Sequence, residues 1–205
     1  MKQNFEYRKA ALDLLKGNWA DVIVISIFIF ILEAIAHSTF FFLVPKEYNG
    51  LTTLALNIIL LFPLVYTFKI LLLELSRTGK KAEIGTYLAT FKTKYSRAVP
   101  VMALICVYIM LWMLLLIIPG IIKSYSYAMA SYISIDNEDL SPEECIQKSM
   151  QMMEGHKMQL FLLDLSFIGW VFLSILTLGI GLLWLAPYQE TARLKFYEDL
   201  KALKA

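Results

Sequence analysis

Charge is scarce in this chain. Asp, Glu, Lys and Arg make up 18% of its 205 residues, hydrophobic residues make up 59%, and the mean hydropathy is +0.62. Soluble domains carry charge on about a quarter of their residues, so the composition excludes an ordinary water-soluble globule. Cysteine and histidine are rarer, with two of each. Cys106 lies in an apolar run and Cys145 in a charged stretch read as a loop, which predicts neither a disulfide nor a metal clip; Cys106 reads as core filler. His37 and His156 are expected on opposite sides of a membrane, and no Cys, His or carboxylate cluster has metal-ligand spacing. Glycines are few and form no phosphate-cradling loop, which argues against an ATP-driven pump and leaves no cofactor to expect. The linkers, at about 20 residues, are too short to fold a soluble catalytic domain. A net charge of +2 gives no footing for nucleic-acid binding.

What is present is apolar sequence in long runs. Six segments stand out, at 22–44, 51–75, 99–118, 120–135, 159–176 and 178–197. The third and fourth are together too long for one crossing of a hydrocarbon layer of roughly 30 Å, and Pro119-Gly120 sits between them, which predicts a bend there. The stretch before residue 19 is charged and amphipathic, so no cleavable signal peptide is expected and the first apolar run is read as a membrane helix.

Short amphipathic stretches precede the hairpins at 5–16, 83–95 and 141–154. In the middle one Ile84, Tyr87, Leu88 and Phe91 share a helical face, the pattern of a helix lying on a membrane surface. The last opens with Ser141-Pro142-Glu143-Glu144, a capping box with proline in the first turn. The expected fold is therefore all-α and integral to the membrane. Six transmembrane helices form three hairpins, each preceded by a short amphipathic interfacial helix, in a single domain over 1–205 with internal repeats at 1–78, 79–135 and 136–205. Lys and Arg concentrate on one side of this arrangement, and the other side's connections carry only Lys46, with Lys123 near the bend; both termini are expected in the cytoplasm.

The run Ile118-Pro119-Gly120-Ile121-Ile122-Lys123-Ser124-Tyr125-Ser126-Tyr127 resembles the signature of a bacterial integral membrane family catalogued as domain of unknown function 975. So do Gly155-His156-Lys157, Ser166-Phe167-Ile168-Gly169-Trp170 and the stretch 176–188. The resemblance implies a multi-pass protein of the bacterial cytoplasmic (inner) membrane and carries no activity or functional residues with it. A fainter likeness, from Ser141-Pro142 through Ser149 to Gly155, is to the membrane domain fused to some glycerophosphodiester phosphodiesterases.

Ionisable groups inside a bilayer cost a few kcal/mol each, so they are the candidates for function. Glu33 lies near the middle of the first apolar run, as a proton or cation partner or as a neutral carboxyl in a helix contact. Lys69, toward the cytoplasmic end of the second, is expected to snorkel. Asp164 suits an interhelical pair with a cation such as Lys69, and Glu190 and Arg193, three apart, suit a pair with each other. Ser124, Tyr127, Ser131 and Ser134 form a hydroxyl stripe that either packs helices closely or lines a polar cavity together with the breaks at Pro63, Pro119 and Pro187. These residues predict a non-enzymatic module that binds or passes a lipid-like or small amphipathic molecule, with membrane lipids as partners. The competing expectation is an accessory or scaffold subunit packing against another membrane protein or copies of itself.

Overall fold

A computed structural model describes residues 2–204 and is all-helical, with no strand among them. The elements are α1 (Asn4–Leu15), α2 (Trp19–Leu43), a 3-10 turn (Lys46–Tyr48), α3 (Asn49–Leu56), a π-helical turn (Asn57–Leu61) and α4 (Phe62–Thr78). They continue with α5 (Ile84–Leu115), α6 (Ile117–Tyr127), α7 (Ala130–Asp136), α8 (Pro142–Met152), α9 (Lys157–Leu165), α10 (Ile168–Leu176) and α11 (Leu182–Lys204). Four stretches are long and apolar enough to cross a membrane: α2, Gly50–Thr78 (α3 through α4), α5, and Lys157–Leu176 (α9 with α10).

Proline and glycine set where these rods bend. Pro63 has no amide to offer the Ile59 carbonyl four residues back, and the chain widens into the π-helical turn just before it. The Tyr95 hydroxyl donates to that Ile59 carbonyl at 3.0 Å. Gly17, at φ +85°, and Gly155, at φ +79°, separate α1 from α2 and α8 from α9 with the left-handed residue that such breaks favour. The middle amphipathic stretch has no such glycine after it, and here the structure corrects the sequence reading. Residues 84–115 are one helix of 32 residues, about 48 Å long, so no separate surface helix precedes the third apolar segment. Tyr87 on its first turn is fully buried and donates to the Leu64 carbonyl at 3.0 Å, tying that turn to α4.

The bend also shifts. The chain reverses at Leu116 (φ −159°, ψ 140°), not at Pro119-Gly120, and Pro119 falls in the first turn of α6, where a missing amide costs nothing. Gly120 serves close approach instead: a Cβ there would lie 2.5 Å from Met113 Sδ and 3.0 Å from Met113 Cα. The α10–α11 turn repeats the device. A Cβ on Gly181 would lie 2.7 Å from Ser174 Oγ, again seven residues back along the chain. The fourth apolar segment is split, because α6 ends at Tyr127 and α7 begins at Ala130.

Ser149 on α8 satisfies the backbone freed by that split, accepting from the Met129 amide at 3.2 Å and donating to the Ser126 carbonyl at 2.8 Å. The expected capping box of α8 is present, with Glu144 N–H donating to Ser141 Oγ and Ser141 N–H to Glu144 Oε2. Cys145, read as a loop residue, sits fully buried on this helix, whereas Cys106 is only half-buried on α5. The apolar faces of α1 and α8 are taken up by protein. Tyr7, Ala11 and Leu15 pack on α11, with the Tyr7 ring 5.3 Å from Phe196.

Burial divides the molecule lengthwise. Eleven residues of α4 are buried, which makes it the central helix, and α7 and the second half of α11 pack beside it. At the opposite end the α10–α11 turn exposes Leu176, Leu178 and Ile180, the second of them 94%. Each amide from Leu178 to Leu185 nonetheless donates within the chain, that of Gly181 to Thr177 Oγ1 at 3.0 Å. Internally satisfied backbone under exposed aliphatic side chains is what hydrocarbon surroundings require.

Candidate functional site

Lys69 does not snorkel. It sits eight residues, about 12 Å along the helix, before Arg77 in the last turn of α4, and its flanking residues Phe68 and Ile70 are buried. A lysine this enclosed needs a counter-charge. Its Nζ is 3.1 Å from Glu190 Oε1, donates to Ser131 Oγ at 3.1 Å and lies 4.6 Å from the centre of the Tyr132 ring. The Tyr132 hydroxyl donates to the same Glu190 oxygen.

A second pair lies one turn further along α11. Arg193 Nε and Nη2 donate to the two oxygens of Asp164 at 2.9 and 2.6 Å, a bidentate fork between α11 and α9. Gln189 Nε2 also reaches Asp164, at 3.4 Å. The sequence reading is corrected twice here. Asp164 takes Arg193 rather than Lys69, and Glu190 and Arg193 turn to different helices instead of pairing with each other. The planar guanidinium matches a carboxylate facing it across the helices with two hydrogen bonds, which neighbours on one helix cannot arrange as well.

Beside these pairs is a recess of about 290 Å³ between α4, α5, α6, α7, α9 and α11. Lys69 and Arg193 supply its charge, and Ser124, Tyr125, Tyr127 and Ser131 its hydroxyl-bearing residues. Met102, Ile105 and Ile109 of α5 form an apolar wall. Three residues of the hydroxyl stripe thus meet Lys69 in one place. Ser134, the fourth, faces elsewhere, where its hydroxyl bonds with Tyr66 at 3.0 Å and accepts from Arg97 Nε at 3.0 Å. Pro63, Pro119 and Pro187 do not line the recess. Asp164 and Glu190 stand behind it as partners of its cations rather than in its lining.

Glu33 is not brought to this cluster. It is half-exposed on α2, where its one electrostatic partner is His37 a turn further along the same helix. Sequence reasoning gave Arg193 only the part of a partner to Glu190 and did not see it as a wall of the recess.

Closer to the charged end lies a second network that the sequence did not suggest. Asp136, at the end of α7, accepts from Arg77 Nη1 and Nη2 at 2.7 and 2.9 Å, from the Tyr197 hydroxyl at 2.9 Å, and from Lys201. Burial raises the pKa of this carboxyl, but the hydrogen bonds from Arg77, Lys201 and Tyr197 outweigh it and hold the group at about 2. Burial pushes the neighbouring Cys145 thiol up despite Arg97 nearby, which makes it a poor nucleophile. The crevice here, about 300 Å³, is lined by Arg77, Lys94 and Arg97 together with Glu74, Asp136 and Glu138. Three charges of each sign cancel in its wall, so it lacks the one-signed lining of the recess.

No curated protein and no solved structure matches the chain, and the likeness to glycerophosphodiester phosphodiesterases gains no support. The sequence model of the family described as protein of unknown function (DUF975) matches residues 96–204, a stretch that holds α6 to α11 and, apart from Lys69, every charged and hydroxyl residue of the recess. That match covers more than half of the chain, which therefore belongs to this family.

Proposed function

We propose that the protein is a non-enzymatic membrane module that takes a lipid-like or small amphipathic molecule into the recess beside Lys69 and Arg193. The observation that carries this reading is the two-sided wall: hydroxyls and cations on one flank, Met102, Ile105 and Ile109 on the other. Polar groups converging beside apolar side chains are the usual makings of a small-molecule site. An intramembrane enzyme acting on lipid would need Glu33, Asp164, His156 and Glu190 to converge, and against that reading Asp164 and Glu190 are held in ion pairs with Arg193 and Lys69.

In this reading the chain makes six crossings as three hairpins in a bacterial cytoplasmic membrane, with both termini on the cytoplasmic side. The distribution of Lys and Arg supports that orientation, and the charged network around Asp136 suits the cytoplasmic end. Native mass spectrometry of the protein released from mild detergent tests the function. Bound lipid is expected on the wild type and is lost when Ile105→Trp fills the recess; retention unchanged by that substitution would sink the proposal.

An accessory or scaffold role is the second reading. It is supported by an apolar groove of about 370 Å³ walled by Trp19, Trp170 and Trp184, a surface suited to another membrane helix. The same spectra report copy number, and a stable oligomer that breaks on Trp170→Ala favours this alternative.

A further inference from the structure

The recess has a sign. Four charges make up the cluster around it, and they cancel: Lys69 against Glu190, Arg193 against Asp164. Their arrangement is nevertheless lopsided, because both cations line the recess and neither carboxylate does. Lys69 and Arg193 come from different helices, α4 and α11, and each is steadied from behind by its acid, so their positions are set before any ligand arrives. The Glu190 carboxylate is further occupied by the Tyr132 hydroxyl. Arg193 uses Nε and Nη2 on Asp164, and its side chain keeps 35% of its surface exposed.

Resting on the reading that this recess is a ligand site, we infer that its ligand is an anionic amphiphile. A phosphate or carboxylate head would be held by Lys69 and Arg193, with an aliphatic tail along Met102, Ile105 and Ile109. Charge selection follows from the wall. A zwitterionic head would bring a cation against Lys69 and Arg193 with no lining carboxylate to receive it, whereas an anion meets two cations held in place by their own acids. The apolar flank commits the site to an amphiphile over a soluble anion, because Met102, Ile105 and Ile109 give an inorganic ion nothing to contact.

The test is native mass spectrometry of the full chain in nanodiscs of phosphatidylglycerol and phosphatidylcholine with identical acyl chains. Retention of phosphatidylglycerol over phosphatidylcholine by about tenfold or more is expected, in line with two cations acting on one anionic head. The double substitutions Lys69→Gln with Glu190→Gln, and Arg193→Gln with Asp164→Asn, keep the hydrogen-bonding shapes while removing the charges. Each is expected to erase most of that preference without abolishing lipid retention. Equal retention of both lipids by the wild type, lost on Ile105→Trp, would overturn the anionic assignment and leave the amphiphile reading standing. Retention indifferent to Ile105→Trp would overturn both. Displacement of the lipid by inorganic phosphate alone would show that the head suffices, and would overturn the assignment to an amphiphile.

Discussion

The two ends of this molecule are built on opposite physics. At the end holding Asp136, the side chains of α1, α4, α7 and α11 pack as in a soluble protein, and apart from Arg8 Nε their buried polar side-chain groups find partners, as Tyr7 does with Asp199, Tyr197 with Asp136 and Tyr132 with Glu190. The ion pairs found among the described residues lie in this half or just beneath it, the deepest being those of Lys69 and Arg193. At the far end the α5–α6 and α10–α11 turns carry exposed leucines and isoleucines and no ion pair among the described residues. Where lipid replaces water, burying a leucine gains little, so what holds a hairpin closed is contact of backbone on backbone. Gly120 against Met113 and Gly181 against Ser174 are that contact.

The comparison breaks most visibly at the inner end. Asp164→Ala strands Arg193 without its carboxylate and is expected to cost about 3 kcal/mol, while Asp164→Leu combined with Arg193→Met costs little, because it is the unpaired charge that destabilises. Thermal unfolding in detergent, read by tryptophan fluorescence, separates the two; equal losses would mean that the pair itself contributes net stability. Next in size are the far-end glycines. Gly120→Ala and Gly181→Ala each force a methyl into a neighbouring helix and should cost about 2 kcal/mol, whereas Gly85→Ala, on an open face of α5, should be neutral or stabilising by up to about 1 kcal/mol. The same melting experiment reads the opposite signs.

A smaller effect of informative sign is expected at the apex. Leu178 sits at φ +54°, a conformation where Asn is more comfortable, so in water Leu178→Asn would stabilise by about 1 kcal/mol. In hydrocarbon the exposed amide should reverse that gain, and Leu178→Cys should react with a membrane-impermeant maleimide more slowly than Lys46→Cys in the polar α2–α3 connection. A faster reaction at 178 would place the apex in water. The least effect near neutrality comes from pH. The Asp136 carboxyl is lower in the folded state than its ordinary value of 3.8, so its contribution is present above about pH 4 and is lost as pH falls toward about 2. Melting temperature should be flat on this account from pH 5 to 8, and Asp136→Asn should remove the acid-side fall.

Legibility in the sequence followed local causes. The α8 capping box announces itself within four residues and is found, whereas of the four hydroxyl residues expected in one stripe Ser134 turns away to Tyr66 and Arg97. The reach of α5 was misread because Ile84, Tyr87, Leu88 and Phe91 have the periodicity of a surface helix, and periodicity does not say whether a helix stops. The bend moved from Pro119 to Leu116 for a related reason: proline marks a helix boundary equally well from its first turn as from its end.

Ion pairing was the least legible feature. Lys69, Asp164, Glu190 and Arg193 were all conspicuous as charges in apolar runs, yet which acid met which base depended on how α4, α9 and α11 rotate against one another. The sequence by itself determined an all-helical chain with apolar rods long enough to cross a membrane, because a backbone in hydrocarbon must satisfy its own hydrogen bonds and a helix does so within one segment. Only the tertiary structure decided that Lys69 and Arg193 line one recess while their carboxylates stand behind it, since the sign of a cavity wall is set by the direction of a few side chains across helices that lie far apart along the chain.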